Sequence, residues 1–201
     1  MSAIIKSVKE STNIVEKRTI EIPKGVKVTL EGKNNHIKVS KGKNALERKF
    51  ERVTAQISID SKANKIEIFD YYVKRKQKAV VGTIAAHIIN MIRGVQEPFV
   101  YKLKIIYSHF PISVKVVGDK IEYSGMYGQK GKKYIPILGK DTKAKVSGDE
   151  IIVEGIDLEK VSQTAARIEQ STRLRGKYAK DVRIFQDGIY VFESNRKQEV
   201  H

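Results

Sequence analysis

The sequence predicts an α+β protein made of two duplicated domains, each a mostly antiparallel sheet with one helix packed on it. Eleven short stretches alternate apolar and polar residues with period two, and two longer stretches repeat at helical spacing. Matched segments also recur 80, 85 and 88 positions apart in the same order.

The strand pattern appears first in Arg18–Ile22, Val26–Leu30, His36–Ser40, Ala55–Asp60 and Lys65–Phe69. It returns in Val100–Ile106, Ser113–Val117, Lys120–Tyr123, Thr142–Val146, Glu150–Val153 and Ile189–Phe192. Gly32-Lys33-Asn34-Asn35, Gly118-Asp119, Gly148-Asp149 and Asp187-Gly188 supply turn residues that accept positive φ. The first helix carries Val81, Ile84, Ala85, Ile88, Met91 and Ile92 on one stripe, with Gly94 as the expected stop. The second starts on Asp157 as N-cap, places Leu158, Val161, Ala165 and Ile168 on its stripe, and is expected to run to about Arg173. Narrow stripes mean that each helix lies with one side on a sheet.

The duplication aligns Ala85-Ala86-His87-Ile88 with Ala165-Ala166-Arg167-Ile168, and Val26-Lys27-Val28 with Val114-Lys115-Val116. It also aligns Asn64–Ile68 with Asp149–Val153. With Phe99–Tyr107 and Ile189–Phe192 read as closing strands, the domains fall at 20–107 and 108–193. Residues 1–19 form an N-terminal extension and 194–201 a C-terminal tail, and Met1–Val15 and Asn195–His201 are expected to be loosely held.

Of 201 residues, 39 are Lys or Arg and 23 Asp or Glu, giving a net charge of +16. Without cysteine there is neither a disulfide framework nor a thiolate metal site. The apolar run Ala79–Ile92 is shorter than the roughly 20 residues that span a bilayer, and Met1–Thr19 has no signal-peptide core. A soluble, intracellular protein is expected. The charge is segregated. Residues 24–52 hold nine basic against three acidic residues, 74–78 add +4, 129–145 add +5 and 173–183 add +4, whereas 146–172 carry −4. Basic segments separated in this way predict one polarised face for a polyanion.

Gly82-Thr83-Ile84-Ala85-Ala86-His87-Ile88-Ile89-Asn90-Met91-Ile92-Arg93-Gly94-Val95, Tyr101-Lys102-Leu103-Lys104 and Tyr107-Ser108-His109-Phe110-Pro111 resemble the large-subunit ribosomal protein six family in its archaeal and eukaryotic form. So do Val153-Glu154-Gly155-Ile156-Asp157 and Gln163-Thr164-Ala165-Ala166. Arg183-Ile184-Phe185-Gln186-Asp187-Gly188-Ile189-Tyr190-Val191 resembles the family's closing Arg-x-Phe-x-Asp-Gly-x-Tyr. The loop often written Asn-Phe-Leu-Gly-Glu-Lys is here Gly125-Met126-Tyr127-Gly128-Gln129-Lys130, keeping the Gly and the Lys. The resemblance implies a cytoplasmic structural constituent of the large ribosomal subunit that binds large-subunit ribosomal RNA, chiefly through the second domain. It places the protein near the stalk base and the sarcin–ricin loop, beside neighbouring large-subunit ribosomal proteins and translation factors. No cofactor, membrane or small-molecule substrate is implied. The rival reading is a free-standing RNA chaperone or ribosome-assembly factor using the same basic face.

The expected RNA ligands are Lys130, Lys132, Lys133 and Lys140, then Arg173, Arg175, Lys177, Lys180 and Arg183, with Lys74, Arg75, Lys76 and Lys78 in the first domain. Such side chains neutralise phosphates and position a protein on RNA without reading bases. Gly125, Gly128 and Gly131 would let backbone N–H groups approach a phosphate. Tyr127, Tyr134 and Tyr178 are either stacking platforms for unpaired bases or ordinary half-buried tyrosines. An enzyme is not expected. His36, His87, His109 and His201 lack metal-ligand spacing, and no HExxH helix or Gly-Lys-Ser/Thr phosphate loop occurs. Of the dense acids Asp149, Glu150, Glu154 and Asp157, one lies in a strand and one is a helix cap.

Overall fold

The computed structural model describes residues 14–31, 35–51, 53–60, 63–71, 74–174, 176, 179, 181 and 183–195. The chain divides into two compact units, Met1–Gln96 and Glu97–His201.

In the first unit β1 (Ile14–Glu21), β6 (Lys65–Tyr71) and β5 (Gln56–Asp60) form one antiparallel sheet in the order β1-β6-β5. A second sheet runs β2 (Lys27–Glu31), β3 (His36–Lys41), β4 (Asn44–Lys49). Helix α1 (Arg75–Gln96) packs on strands of both sheets. Alternation does the sorting: Ile37, Val39, Ile66 and Ile68 are fully buried from strands whose intervening residues stay partly exposed. Val81, Ile84, Ala85, Ile88, Met91, Ile92 and Val95 close this core from the helix side. The helix is 22 residues long, so by length and composition it reaches what crossing a membrane requires, beyond the apolar run visible in the sequence. Its stripe is instead buried on the unit's own strands.

The second unit repeats this plan with β7 (Phe99–Ile106), β8 (Ser113–Val117), β9 (Lys120–Ser124), β10 (Lys133–Pro136), β11 (Lys143–Ser147) and β12 (Glu150–Gly155). Helix α2 (Leu158–Thr172) and β13 (Gly188–Ser194) complete it. The sheets run β11-β12-β7-β13 and β10-β9-β8. The order β7-β12-β11 repeats β1-β6-β5, with Leu103 opposite Ile151 where Ile20 stands opposite Ile66. One core joins Phe99, Tyr101, Leu103 and Ile105 of β7 to Val161, Ala165 and Ile168 of α2.

Several elements differ from the sequence expectation. Phe99–Ile106 does not close the first unit; it pairs with β12 and β13 and is a central strand of the second. Alternation marks a strand but not its partner, and the short step from α1 makes this one look like the end of the first repeat. Residues 14–19, counted with the extension, lie in β1. Asn195 is held as well: its side chain accepts from Val100 N at 2.9 Å and donates to Pro98 O at 3.1 Å. Strands β4 and β10 escape the alternation pattern because Leu46 and Ile135 are their only buried side chains. Gly94 is buried inside α1, which continues to Gln96 and ends ahead of Pro98. Asp187-Gly188 is no hairpin turn, because Asp187 is buried and Gly188 opens β13. Residues 1–13 and 196–201, most of the two ends expected to be loosely held, lie outside the described residues.

Ile88 and Ile168, matched by the repeat, are both fully buried. Truncating either to Ala should cost about 2–5 kcal/mol in urea unfolding. A change within experimental error at either position would show that its helix does not rest on its sheet through that residue.

Candidate nucleic-acid interface

The basic loop between β9 and β10 is held by aromatic hydroxyls. Tyr123 and Tyr127 each donate at 2.8 Å to a carbonyl at the end of α2, Tyr123 to Ser171 and Tyr127 to Thr172. The last carbonyls of a helix lack intrahelical donors, so these two bonds satisfy acceptors that would otherwise need water. Tyr127 takes a left-handed backbone, φ 55, unusual for a residue with a Cβ, between Gly125 at φ 85 and Gly128 at φ 73. A Cβ on Gly125 would collide with the Pro111 carbonyl oxygen, and one on Gly128 would lie 3.3 Å from the Phe110 ring. Both glycines thus answer to packing and dihedral demands within the unit. Tyr127 is half-buried, the second of the two readings its sequence position allows, whereas Tyr134 is exposed. Burial also pushes the Tyr127 hydroxyl pKa up, keeping it a donor.

Asp187 ties the same end together. Its carboxylate, on a residue only 2% exposed, accepts from the backbone N–H groups of Ser108 at 2.9 Å, His109 at 3.2 Å and Phe110 at 3.4 Å. His109 Nδ1 lies 3.1 Å away. Burial works to raise the Asp187 pKa, but the hydrogen bonds from Ser108, the His109 ring and the His109 and Phe110 backbone outweigh it and leave it lowered. Phe185 is stacked between the rings of His109 (4.6 Å) and Tyr127 (5.6 Å). Ile189 N donates to Thr172 Oγ1 at 3.1 Å, which fastens β13 to the helix end. His109 therefore has a structural place, and His87 is half-buried against Phe50.

The expected RNA ligands do not all gather. Lys130, Lys132 and Lys133 are exposed on or beside the tyrosine-anchored loop, and exposed Arg173 directly follows the helix end that Tyr123 and Tyr127 cap. Lys140 is exposed on a different loop: Leu138 N bonds Thr164 Oγ1 at 3.1 Å, and a Cβ on Gly139 would strike Lys160, so this loop lies along the first half of α2. Arg183 is exposed and gripped by Asp181, Nη2 to Oδ2 at 2.7 Å and Nε to Oδ1 at 3.1 Å. Arg175, Lys177 and Lys180, with Tyr178, lie outside the described residues. In the first unit Lys74, Arg75, Lys76 and Lys78 crowd the start of α1, which has no acid in its first turn. There Gln77 Oε1 accepts from Lys74 N at 2.8 Å, and Lys78 Nζ lies 3.2 Å from Glu16.

Two acids with a part in this site are invisible in the sequence pattern. Lys132 Nζ lies 2.9 Å from Glu122 Oε1, and its hydrogen bond leads the causes that lower the Glu122 pKa. Glu122 lies on β9, opposite Tyr134 of β10 and outside the basic segment, so counting charges by segment leaves it out; only the β9–β10 register reveals it. Asp187, the anchor, reads in the sequence as half of a turn. Among the acids of the negative segment, Asp157 caps α2, accepting from Glu159 N at 3.0 Å, and Glu154 lies 3.6 Å from Lys145. Among the described residues no group of three or more His, Cys, Asp or Glu could hold a metal.

Comparison with known families matches residues 18–98 and 110–188 to ribosomal protein L6, the first segment covering the first unit from residue 18 and ending two residues beyond it, the second lying within the second unit. The chain belongs to this family. It is 45% identical over 184 residues to the large ribosomal subunit protein uL6 of Aeropyrum pernix, covering 92% of this chain and 96% of that one. The uL6 proteins of Methanothrix thermoacetophila and Ignicoccus hospitalis are 44% and 42% identical over 176 residues, covering 88% and 86% of this chain and 96% and 91% of theirs. Ribosomal L6 proteins are structural, so the chain is not an enzyme. Its closing motif acquires a physical role in Asp187 and Phe185, which hold the basic end in shape.

Because the Asp187 pKa is lowered on folding, its contribution is present above the unfolded value of about 3.8 and is lost as pH falls through the folded value below that. Asp187→Asn should therefore cost about 1–3 kcal/mol near neutral pH. Its stability, followed by urea unfolding, should fall less steeply than that of the native chain below about pH 4. Parallel curves for the two proteins would place the acid-sensitive group elsewhere.

Proposed function

We propose that the chain is a structural protein of the large ribosomal subunit, anchored on large-subunit ribosomal RNA by the basic end of its second unit. The observation that carries this reading is the pair of tyrosine hydroxyls that fix the loop of Lys130, Lys132 and Lys133 to the end of α2, next to Arg173. Cations held at one end of a rigid unit fit the spaced phosphates of an A-form helix, whose deep groove excludes side chains. The segment of Arg175, Lys177 and Lys180 follows Arg173 directly and extends the same basic stretch. Lys132 has an exposed ammonium whose single carboxylate partner, Glu122, leaves it free to meet a phosphate as well.

The first unit contributes a second contact through Lys74, Arg75, Lys76 and Lys78. Positive side chains at a helix N-terminus are unfavourable beside the dipole. A phosphate at that end would relieve the repulsion and use both the charges and the first N–H groups of the helix. The protein stands in the assembled subunit with ribosomal proteins as neighbours and supports the region where translation factors bind.

Reversing Lys130, Lys132 and Lys133 to Glu should weaken binding to purified large-subunit ribosomal RNA. The log–log salt slope should shrink by about 0.9 for each phosphate no longer neutralised. Glu159→Gln with Glu169→Gln should leave affinity and slope nearly unchanged. Filter binding across a salt series reads both, and a silent triple reversal alongside active acid changes would move the RNA face elsewhere. A protein that washes off large subunits in high salt would instead be a free-standing chaperone.

A further inference from the structure

The second unit also has a pocket beside its basic end, with one of the expected RNA ligands, Arg183, in its lining. It is an open surface pocket of about 320 Å³ with Ile106, Arg183, Gln186 and Tyr190 in its lining. Ile106 stands opposite Gly188 in the β7–β13 register. Strand alternation puts Gly188 and Tyr190 on one side of β13 and buried Ile189 on the other, and the Tyr190 hydroxyl lies within electrostatic reach of Glu169 and Arg173 at the end of α2. A Cβ on Gly188 would come within 3.0 Å of the Tyr190 ring; having only hydrogen at that position lets the ring fold flat against the strand.

The opposite rim is fixed before any ligand arrives. Asp181 O accepts from Ile184 N at 3.0 Å and from Phe185 N at 2.8 Å, closing the turn that carries Arg183. The Asp181 carboxylate holds the Arg183 guanidinium through Nε and Nη2, which sets its plane. Phe185 locks the other side of the turn between His109 and Tyr127. Ile184, next to Arg183, is 84% exposed, an apolar side chain offered to whatever lies over the rim.

We infer that this pocket receives one unstacked nucleobase of the bound RNA, an inference that rests on the RNA reading above. The Tyr190 ring and Ile106 give a flat apolar floor for a base face, the guanidinium plane of Arg183 a charged wall, and the Gln186 amide both a donor and an acceptor for a base edge. The pocket is open, so a base would enter it from solvent with one face and one edge against protein. Stacking of this kind tolerates any base, whereas the amide selects by edge.

The test compares binding of single-stranded oligo(A) and oligo(U) ribonucleotides with binding of a blunt RNA duplex of equal length. Tyr190→Ala should weaken binding of the single strands about 5- to 100-fold and leave both the duplex affinity and the salt slope unchanged. Tyr190→Phe should bind as the native chain does. The chain contains no tryptophan, so Tyr190→Trp gives a single reporter whose fluorescence the single strands, and not the duplex, should quench. Thermal unfolding of Tyr190→Ala checks that the unit is intact. Equal effects on single strands and duplex, no effect on either, or an unquenched tryptophan would overturn the pocket. The Lys130, Lys132 and Lys133 reversal separates the two readings. If it weakens all three RNAs while Tyr190→Ala is silent, only the pocket fails; if no RNA binds the native chain, the RNA reading fails with it.

Discussion

One buried carboxylate organises the end of the second unit that carries its charge. Asp187 gathers three successive backbone N–H groups, 108 to 110, and so joins the segment after β7 to the approach of β13. A carboxylate out of water is unfavourable unless its oxygens are filled, and here the backbone fills them. The satisfied group can then act as a fixed point. Phe185 stacks on both rings beside it, Tyr127 reaches from it to the end of α2, and Thr172 links that helix end to β13. Removing the anchor would loosen the basic loop without touching a single lysine.

The cations around that anchor are not equivalent. Those on the tyrosine-held loop and Arg173 project from hydrogen-bonded supports, so their backbone is ordered in advance. Lys132 and Arg183 are already oriented by Glu122 and Asp181. Such pairs contribute modestly to stability, but they hold a long side chain in one direction. The segregation of charge seen along the sequence is thus refined in space by Glu122, which lies outside the basic segment of Lys132, whereas Asp181 belongs to the segment of Arg183 itself.

Duplication supplies the scaffold, and its two copies have diverged. The three strands β1-β6-β5 and β7-β12-β11 keep the same order, and each unit buries an isoleucine of its helix at the matched position. Among the described residues only the second unit has a strand, β13, on the other side of β7, and β13 brings with it Asp187, the stacked Phe185 and the pocket beside Tyr190. The features that distinguish the second unit are thus concentrated where its sheet was extended.

Local pattern along the chain is enough for the fold class, eleven of the strands, both helical stripes, the Asp157 cap and the family, because each is written in periodicity, a cap or a run of motif residues. The same pattern locates the basic segments but not which of them share one end. Only the folded arrangement shows that Phe99–Ile106 belongs to the second unit's sheet, that β4 and β10 exist on one buried side chain each, and that Lys140 lies apart from Lys130 and Arg173. It alone reveals Asp187 as an anchor and Glu122 as the partner of Lys132. The reason is the same in each case. Strand partners, ion pairs across neighbouring strands and hydrogen bonds spanning tens of residues depend on register and docking, which no local pattern encodes.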